Sequence, residues 1–154
     1  MKSRSVIRIQ RDDFDVAAEI KAHTSGNKNT GAVVTFTGLC RDENSTLSAL
    51  ELEHYPGMAE AEIKRITEKA MQRWPVNGLT VIHRYGKVVP GENIVLVVAT
   101  STHREAAFSA ANFLMDFLKS RAPFWKREHL ADGSKGEWVG AKASDETSLA
   151  KWER

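Results

Sequence analysis

The chain has 154 residues, enough for one domain with a proper core and too few for two ordinary ones. Its 42% hydrophobic and 27% charged residues suit a soluble globular protein, and a net charge of +2 supplies no global field for nucleic acid. A lone cysteine, Cys40, excludes an intrachain disulfide and a cysteine-built metal site, and the absence of a signal-like apolar segment or a long apolar run points to a cytoplasmic protein with no membrane attachment.

Val6 to Gln10 alternates apolar and polar residues and predicts a short strand. Asp13 or Asp15 can cap a brief helix ending near His23, with Val16, Ile20 and Ala17 inward. Ser25 to Gly31 is a loop without the lysine ending of a phosphate-cradling motif. Ala32 to Leu39 is almost continuously apolar and predicts a strand covered on both faces. After the polar connection Arg41 to Thr46, Leu50 and Leu52 alternate with Glu51 and Glu53 up to His54, so the two strands read as an antiparallel hairpin. Arg41 would then stand where the first strand leaves its sheet, in reach of a cleft.

Pro56-Gly57 opens a helix to about Arg73, with Ala59, Ile63, Ile66, Ala70 and Trp74 on one face, and Pro75 stops it. Leu79 to Arg84 and Ile94 to Thr100 are two further strands, joined through the turn Pro90 to Asn93. His54 and His83 each end an alternating strand. Without a third ligand they read as structural histidines rather than a metal pair.

Thr102 to Glu105 has the form of a capping box, with Thr102 as the cap. His103 and Arg104 then fall in a first helical turn, where free N–H groups and the helix dipole already favour an anion. Two basic side chains there suggest a bound phosphate or carboxylate. From Ala106 to Leu118 the helix is apolar over most of its circumference, the reading of a core helix or of one shared between subunits. Lys119 emerges at its end, on a narrow polar stripe with Ser109, Asn112 and Asp116.

Lys119 to Glu128, K-S-R-A-P-F-W-K-R-E, sets Lys119, Arg121, Lys126 and Arg127 around an apolar knot of Pro123, Phe124 and Trp125. Cations beside buried aromatics cost free energy, a cost justified where an anion must be held or a lysine must give up its proton. Pro123 forces the chain out of the helix into a strand through His129, with Phe124, Lys126 and Glu128 on one face and Trp125, Arg127 and His129 on the other. Asp132 to Gly136 is a turn, Glu137 to Ala141 a returning strand, and Ser144 to Arg154 a polar tail whose one adhesive residue is Trp152.

His103 and Lys119 are sixteen positions apart on one helix, about 24 Å at roughly 1.5 Å per residue. A small substrate cannot touch both in one chain. An antiparallel two-fold pairing of two copies would bring one helix start to the other helix end and create two equivalent sites.

G-A-V-V-T-F-T-G, L-E-H-Y-P-G-M, V-I-H-R-Y-G, the turn P-G-E, T-S-T-H-R and K-S-R-A-P-F-W-K-R-E together resemble the catalytic, large-subunit family of molybdopterin synthase, from about Gly31 to Asp145. The resemblance implies an α+β single domain over residues 1–154, an α/β hammerhead with antiparallel sheets and a long apolar helix, followed by a polar tail from about residue 143. It implies a homodimer carrying a small ubiquitin-like sulfur-carrier subunit at each end, a heterotetramer in all. The carrier's C-terminal Gly-Gly thiocarboxylate would supply two sulfurs to cyclic pyranopterin monophosphate, opening its cyclic phosphate and forming the dithiolene, with no metal and no bound organic cofactor. By the same resemblance Lys119 and Lys126 match the catalytic lysines, Arg41 a substrate-pocket arginine, and His103 and Arg104 the anion-binding pair given by the second subunit. Two positions depart from the family pattern: Lys142 replaces an arginine, and Cys40 stands where an aliphatic residue is expected and reads as packing.

Two other classes fit less well. A basic-aromatic platform for RNA or peptide would suit K-S-R-A-P-F-W-K-R, but the near-neutral charge opposes it. A phosphoesterase lacks a metal set or nucleophile.

Overall fold

The computed structural model describes residues 3–140 and 150–153. In chain order the elements are β1 (Arg4–Gln10), α1 (Val16–Thr24), β2 (Ala32–Leu39), β3 (Leu47–His54), α2 (Met58–Arg73), β4 (Val76–Arg84), β5 (Gly86–Val88), β6 (Asn93–Ser101), α3 (Arg104–Ser120) and β7 (Phe124–Leu130). They form an α+β domain with a four-stranded sheet, β1-β4-β6-β2, and a three-stranded sheet, β5-β3-β7. Pairing is antiparallel except between β1 and β4, which run parallel, a departure from the all-antiparallel expectation. The intervening α1 and α2 supply the chain length that a parallel return requires. No helix among the described residues is long and apolar enough to cross a membrane.

The larger sheet is covered on both faces, because its central strands are apolar on both. Leu79, Val81, Val95, Val97 and Ala99 face α2 and α3 and form the main core with Ile63, Phe113, Leu114 and Phe117. Ile82, Leu96 and Val98 face the other way, toward Phe14, Val16 and Ile20. The cap of α1 is Asp15, whose carboxylate accepts the Ala18 N–H at 3.1 Å, and Ala17 points to solvent rather than inward. Gly57, in the left-handed region at φ +85°, starts α2, and the Glu60 carboxylate accepts its N–H. A side chain at Gly57 would strain that turn.

Three further expectations fail around β2 and the start of α3. β2 is an edge strand, and its Val33, Phe36 and Leu39 are 38%, 41% and 53% exposed, so it is not covered on both faces. The hairpin between β2 and β3 does not form either. β2 pairs with β6, whereas β3 pairs with β5 and β7 in the other sheet. Between them Asn44 and Ser45 adopt positive φ, Asp42 accepts the Leu47 N–H at 2.9 Å, and Thr46 accepts the Ala131 N–H, which together send the chain into the second sheet. Finally, the cap of α3 is His103, not Thr102, and its side chain makes no capping hydrogen bond among the described residues. Gly31 donates to the Ser101 carbonyl at 3.0 Å, holding β6 extended to its end, and the Ser101 hydroxyl accepts the His103 N–H. The close approach also requires Gly31: a Cβ there would lie 2.2 Å from the Thr102 carbonyl oxygen.

The sheets meet at an aromatic junction. The His83 ring, at the end of β4, stacks on Phe124 with centroids 3.8 Å apart and planes 16° from parallel. His54 lies 6.0 Å from Phe124 and 4.7 Å from Tyr85. After β7, Asp132 to Gly136 turns as expected, with Ser134 bonded to the Asp132 carboxylate. The return is two isolated bridges, at Lys135 and Val139, rather than a strand, while Ala141 and Lys142 lie outside the described residues. Trp152 docks edge-on against Trp74 and Phe113 and donates to Asp116 at 2.6 Å.

Two buried histidines are held neutral by the fold. Burial pushes the His23 imidazole below its ordinary value, with Arg4 adding to the effect and Glu19 opposing it, and the His23 ring bonds the Thr80 hydroxyl. Burial pushes His83 down to about 4 from 6.5. In both cases the folded state binds protons less readily than the unfolded chain, so stability is complete above about pH 6.5 and falls as the pH drops below it, in the case of His83 down to about 4. Urea unfolding at pH 5 should therefore show a loss on the order of 2 kcal/mol from His83 alone relative to pH 7.5. Equal stability at the two pH values would contradict the neutral burial of these rings.

Candidate active site

Lys119 lies in the last turn of α3, exposed, and Lys126 is the third residue of β7, half-buried. Two features bring them together. Arg121 closes α3 by donating its N–H to the Phe117 carbonyl at 2.8 Å, and Pro123 then prevents further helix. β7 next pairs with β3, so that Lys126 stands opposite Leu52. On its other edge Lys126 exchanges both backbone hydrogen bonds with Val139, at 3.0 and 2.7 Å.

Both lysines line two adjoining cavities, which also share Leu50, Ile94 and Val139. The first, about 300 Å³, has mostly apolar residue types in its walls, among them Met115, Phe124 and Trp125, together with His83. The second, about 560 Å³, is cationic at Arg41 and Arg127, with Glu128 and Glu137 also on its wall. The lysine pair is thus common to a hollow walled largely by apolar residues and to one with further charged residues. Charges beside apolar walls act through a lower effective dielectric than in water, so an anion placed there feels them strongly. The Arg127 guanidinium lies 4.6 Å above the Trp138 ring centroid, while its Nε is buried without a hydrogen-bond partner among the described residues. A buried donor of that kind favours an incoming acceptor.

Of the five residues singled out in the sequence, Lys119, Lys126 and Arg41 come together. His103 and Arg104 do not. They sit exposed at the opposite end of α3 and line neither cavity. The separation inferred from helix length therefore holds within the chain.

His83, read from the sequence only as structural, is in the wall of the apolar cavity. Its Nδ1 lies 2.8 Å from the Arg84 carbonyl, so Nδ1 carries the proton and donates, leaving the lone pair on Nε2. After burial, the Lys119 and His54 charges further disfavour protonation, and the Arg84 bond opposes them. The available signal was its place in the row Leu79, Val81, His83, the core-facing side of β4. Among the described residues no three His, Cys, Asp or Glu side chains converge as a metal site would require.

Residues 9–121 match the MoaE protein family. The chain belongs to that family. A molybdopterin synthase catalytic subunit of Mesorhizobium japonicum is 70% identical over 146 residues, which cover 95% of this chain and 92% of the relative. The fold is similar to that of the molybdopterin biosynthesis MoaE protein from Burkholderia ambifaria, at TM-score 0.83 and 42% identity, covering 97% of this chain and 99% of that one. It is also similar to a chain of molybdopterin synthase from Staphylococcus aureus, at TM-score 0.77 and 28% identity over 86% of this chain and 95% of that one.

Cys40 lines the polar cavity, which in a sulfur-handling protein invites a nucleophilic role. Its surroundings oppose one. The side chain is 3% exposed, its thiol donates to the Val88 carbonyl at 3.7 Å, and burial, with Glu92 and Asp42 nearby, pushes its pKa up. The thiolate, not the thiol, is the reactive form. Iodoacetamide should label Cys40 at least about tenfold more slowly in the folded protein than in urea, and Cys40→Ser should retain sulfur transfer. Rapid labelling together with loss of activity would restore Cys40 as a participant.

Proposed function

We propose that this chain is the catalytic subunit of a molybdopterin synthase, moving sulfur from the C-terminal thiocarboxylate of a small ubiquitin-like carrier to cyclic pyranopterin monophosphate. Its place in molybdenum cofactor biosynthesis, as a sulfur-transferring enzyme, follows from its family. The observation that supports the chemistry best is the pair of lysines from α3 and β7 facing the same two cavities. A thiocarboxylate and a cyclic phosphate are both anions and would repel each other in water. A site that holds them together needs fixed cations between them, which act without reorganising when charge moves.

In this reading Lys119 and Lys126 orient the thiocarboxylate and either transfer protons or stabilise the oxyanion formed on the carrier's terminal carbonyl. Arg41 holds the substrate phosphate, and a guanidinium can do so through two parallel hydrogen bonds. His103 and Arg104 complete the basin of the other subunit in a two-fold dimer. Support for that dimer comes from the open flank of the larger sheet, where Phe36 of the edge strand and Phe108 of α3 are 41% and 60% exposed. Apolar surface of that kind favours burial between subunits. The family's α/β hammerhead, a single domain over the whole chain, a heterotetramer with two carriers and a cytoplasmic location belong to the same reading.

Lys119→Ala and Lys126→Ala should each reduce single-turnover dithiolene formation by at least about 100-fold, as loss of a group acting on the reacting atoms does. Folding and carrier binding should persist, because neither residue is in the core. Near-normal rates in both variants would refute the mechanism. The shared arrangement has its own test. Arg104→Ala and Lys119→Ala homodimers should both be poor, whereas a mixed dimer carrying one of each concentrates both lesions in one pocket. It should recover about half of wild-type activity by symmetry. Activity no better than the mean of the two homodimers would place all residues of a site in one chain.

A further inference from the structure

We propose that His83 is a positioning residue of the sulfur-transfer site: stacked on Phe124, it fixes where β7 begins and so where Lys126 stands. The inference rests on the reading of the cavity as that site. Phe124 is the first residue of β7 and follows Pro123, which rules out a helical path for the preceding Ala122. A strand start is its least restrained point, yet Phe124 shares a face with Lys126 only two residues on, so a tilt of one ring displaces the lysine. The His83 ring meets that start nearly face to face, at 3.8 Å and 16°. Its own plane is set by the 2.8 Å bond from Nδ1 to the Arg84 carbonyl at the end of β4. β4 is an inner strand of the larger sheet, paired on both sides, so the reference point is rigid.

A leucine at position 83 would fill the same space without defining a plane. A cation there would crowd Lys119. The neutral imidazole avoids both, being kept neutral by burial. His54, opposite Phe124 in the β3–β7 register with its ring centroid 6.0 Å away, flanks Phe124 from the neighbouring strand.

The test compares His83→Phe, which keeps a ring, with His83→Gln, which keeps polarity and loses the ring, in wild-type and Lys126→Ala backgrounds. Single-turnover rates are measured with thiocarboxylated carrier and cyclic pterin. The Gln variant should fall at least about tenfold with carrier affinity changed less than about twofold, and the Phe variant should keep about a third of the rate or more. In the Lys126→Ala background the Gln change should add less than about twofold, because its effect passes through the missing lysine. A full tenfold further loss there, equal rates for Phe and Gln, or a pH–rate profile displaced in the Phe variant would each overturn the positioning role. NMR of ¹³C-methylated Lys126 provides a readout independent of turnover, its resonance moving in the Gln variant and not in the Phe variant. If the wild-type protein forms no dithiolene, the functional reading fails, while this resonance still decides the role of His83.

Discussion

The contact between His83 and Phe124 is where the two sheets become one molecule. Each sheet satisfies its own hydrogen bonds, and backbone pairing leaves their relative placement open. Ile94 of β6 packs with Leu50, Leu52 and Val88 of the smaller sheet, and to that apolar contact the stack adds one flat ring from β4 on another from β7, with His54 and Tyr85 beside it. Such a pair contributes about 0.5–1.5 kcal/mol beyond its buried area, modest as stability but directional, which apolar contact alone is not. Everything downstream in β7 inherits that direction, Lys126 first. The helix that carries Lys119 is anchored separately, through Phe113, Leu114 and Phe117 in the main core. The two lysines meet because a three-residue break joins α3 to β7 and because Ala122 and Phe124 pack against the same core that anchors the helix.

The charge arrangement has a related logic. Four cations, Arg41, Lys119, Lys126 and Arg127, border the second cavity, and the two lysines border the first as well. Were they all buried, their desolvation and mutual repulsion would be costly. Instead Arg41 and Lys119 remain exposed, and Arg127 is spread over the face of Trp138. Glu128 and Glu137 on the same wall moderate the field. A site organised in this way is tolerable when empty and favourable when an anion enters. Cys40 sits against it with a raised pKa, a small hydrophobe in a place where a thiolate would compete with the arriving sulfur.

Much of this was legible in the sequence because it depends on local rules. Pro123 ends a helix wherever it occurs, so the sequence placed Lys119 and Lys126 on either side of a helix-to-strand break. The burial of Ile63, Ile66 and Ala70 followed from helical spacing. The failures share a different cause. Apolar periodicity shows that Ala32 to Leu39 forms a strand but not that it stands at an edge, since Val33 and Phe36 look identical whether covered by a helix or awaiting a second chain. The supposed hairpin failed because Asn44 and Ser45 in left-handed conformations redirect a connection of ordinary composition. Thr102 lost the cap to His103 because of a hydrogen bond from Gly31, seventy residues earlier. His83 was visible only as a histidine in a core row, because its stacking partner is forty-one positions away.

The length of α3 joins these threads. Its 17 residues bury eight side chains and hold the domain together, yet they also keep Arg104 far from Lys119. Shortening the helix to unite them would remove most of its turns, at about 5.4 Å each, and with them Phe113 and Leu114 of the core. A chain of this size thus has no internal route to a site containing both ends of its main helix. On the proposed reading a second copy resolves the conflict. The exposed face beside β2 then has a reason to be apolar, and the helix is free to serve the core because the missing cations arrive from the partner. The site would be divided between subunits as a consequence of how the core is built, with the carrier's tail entering between elements that no single chain can bring together.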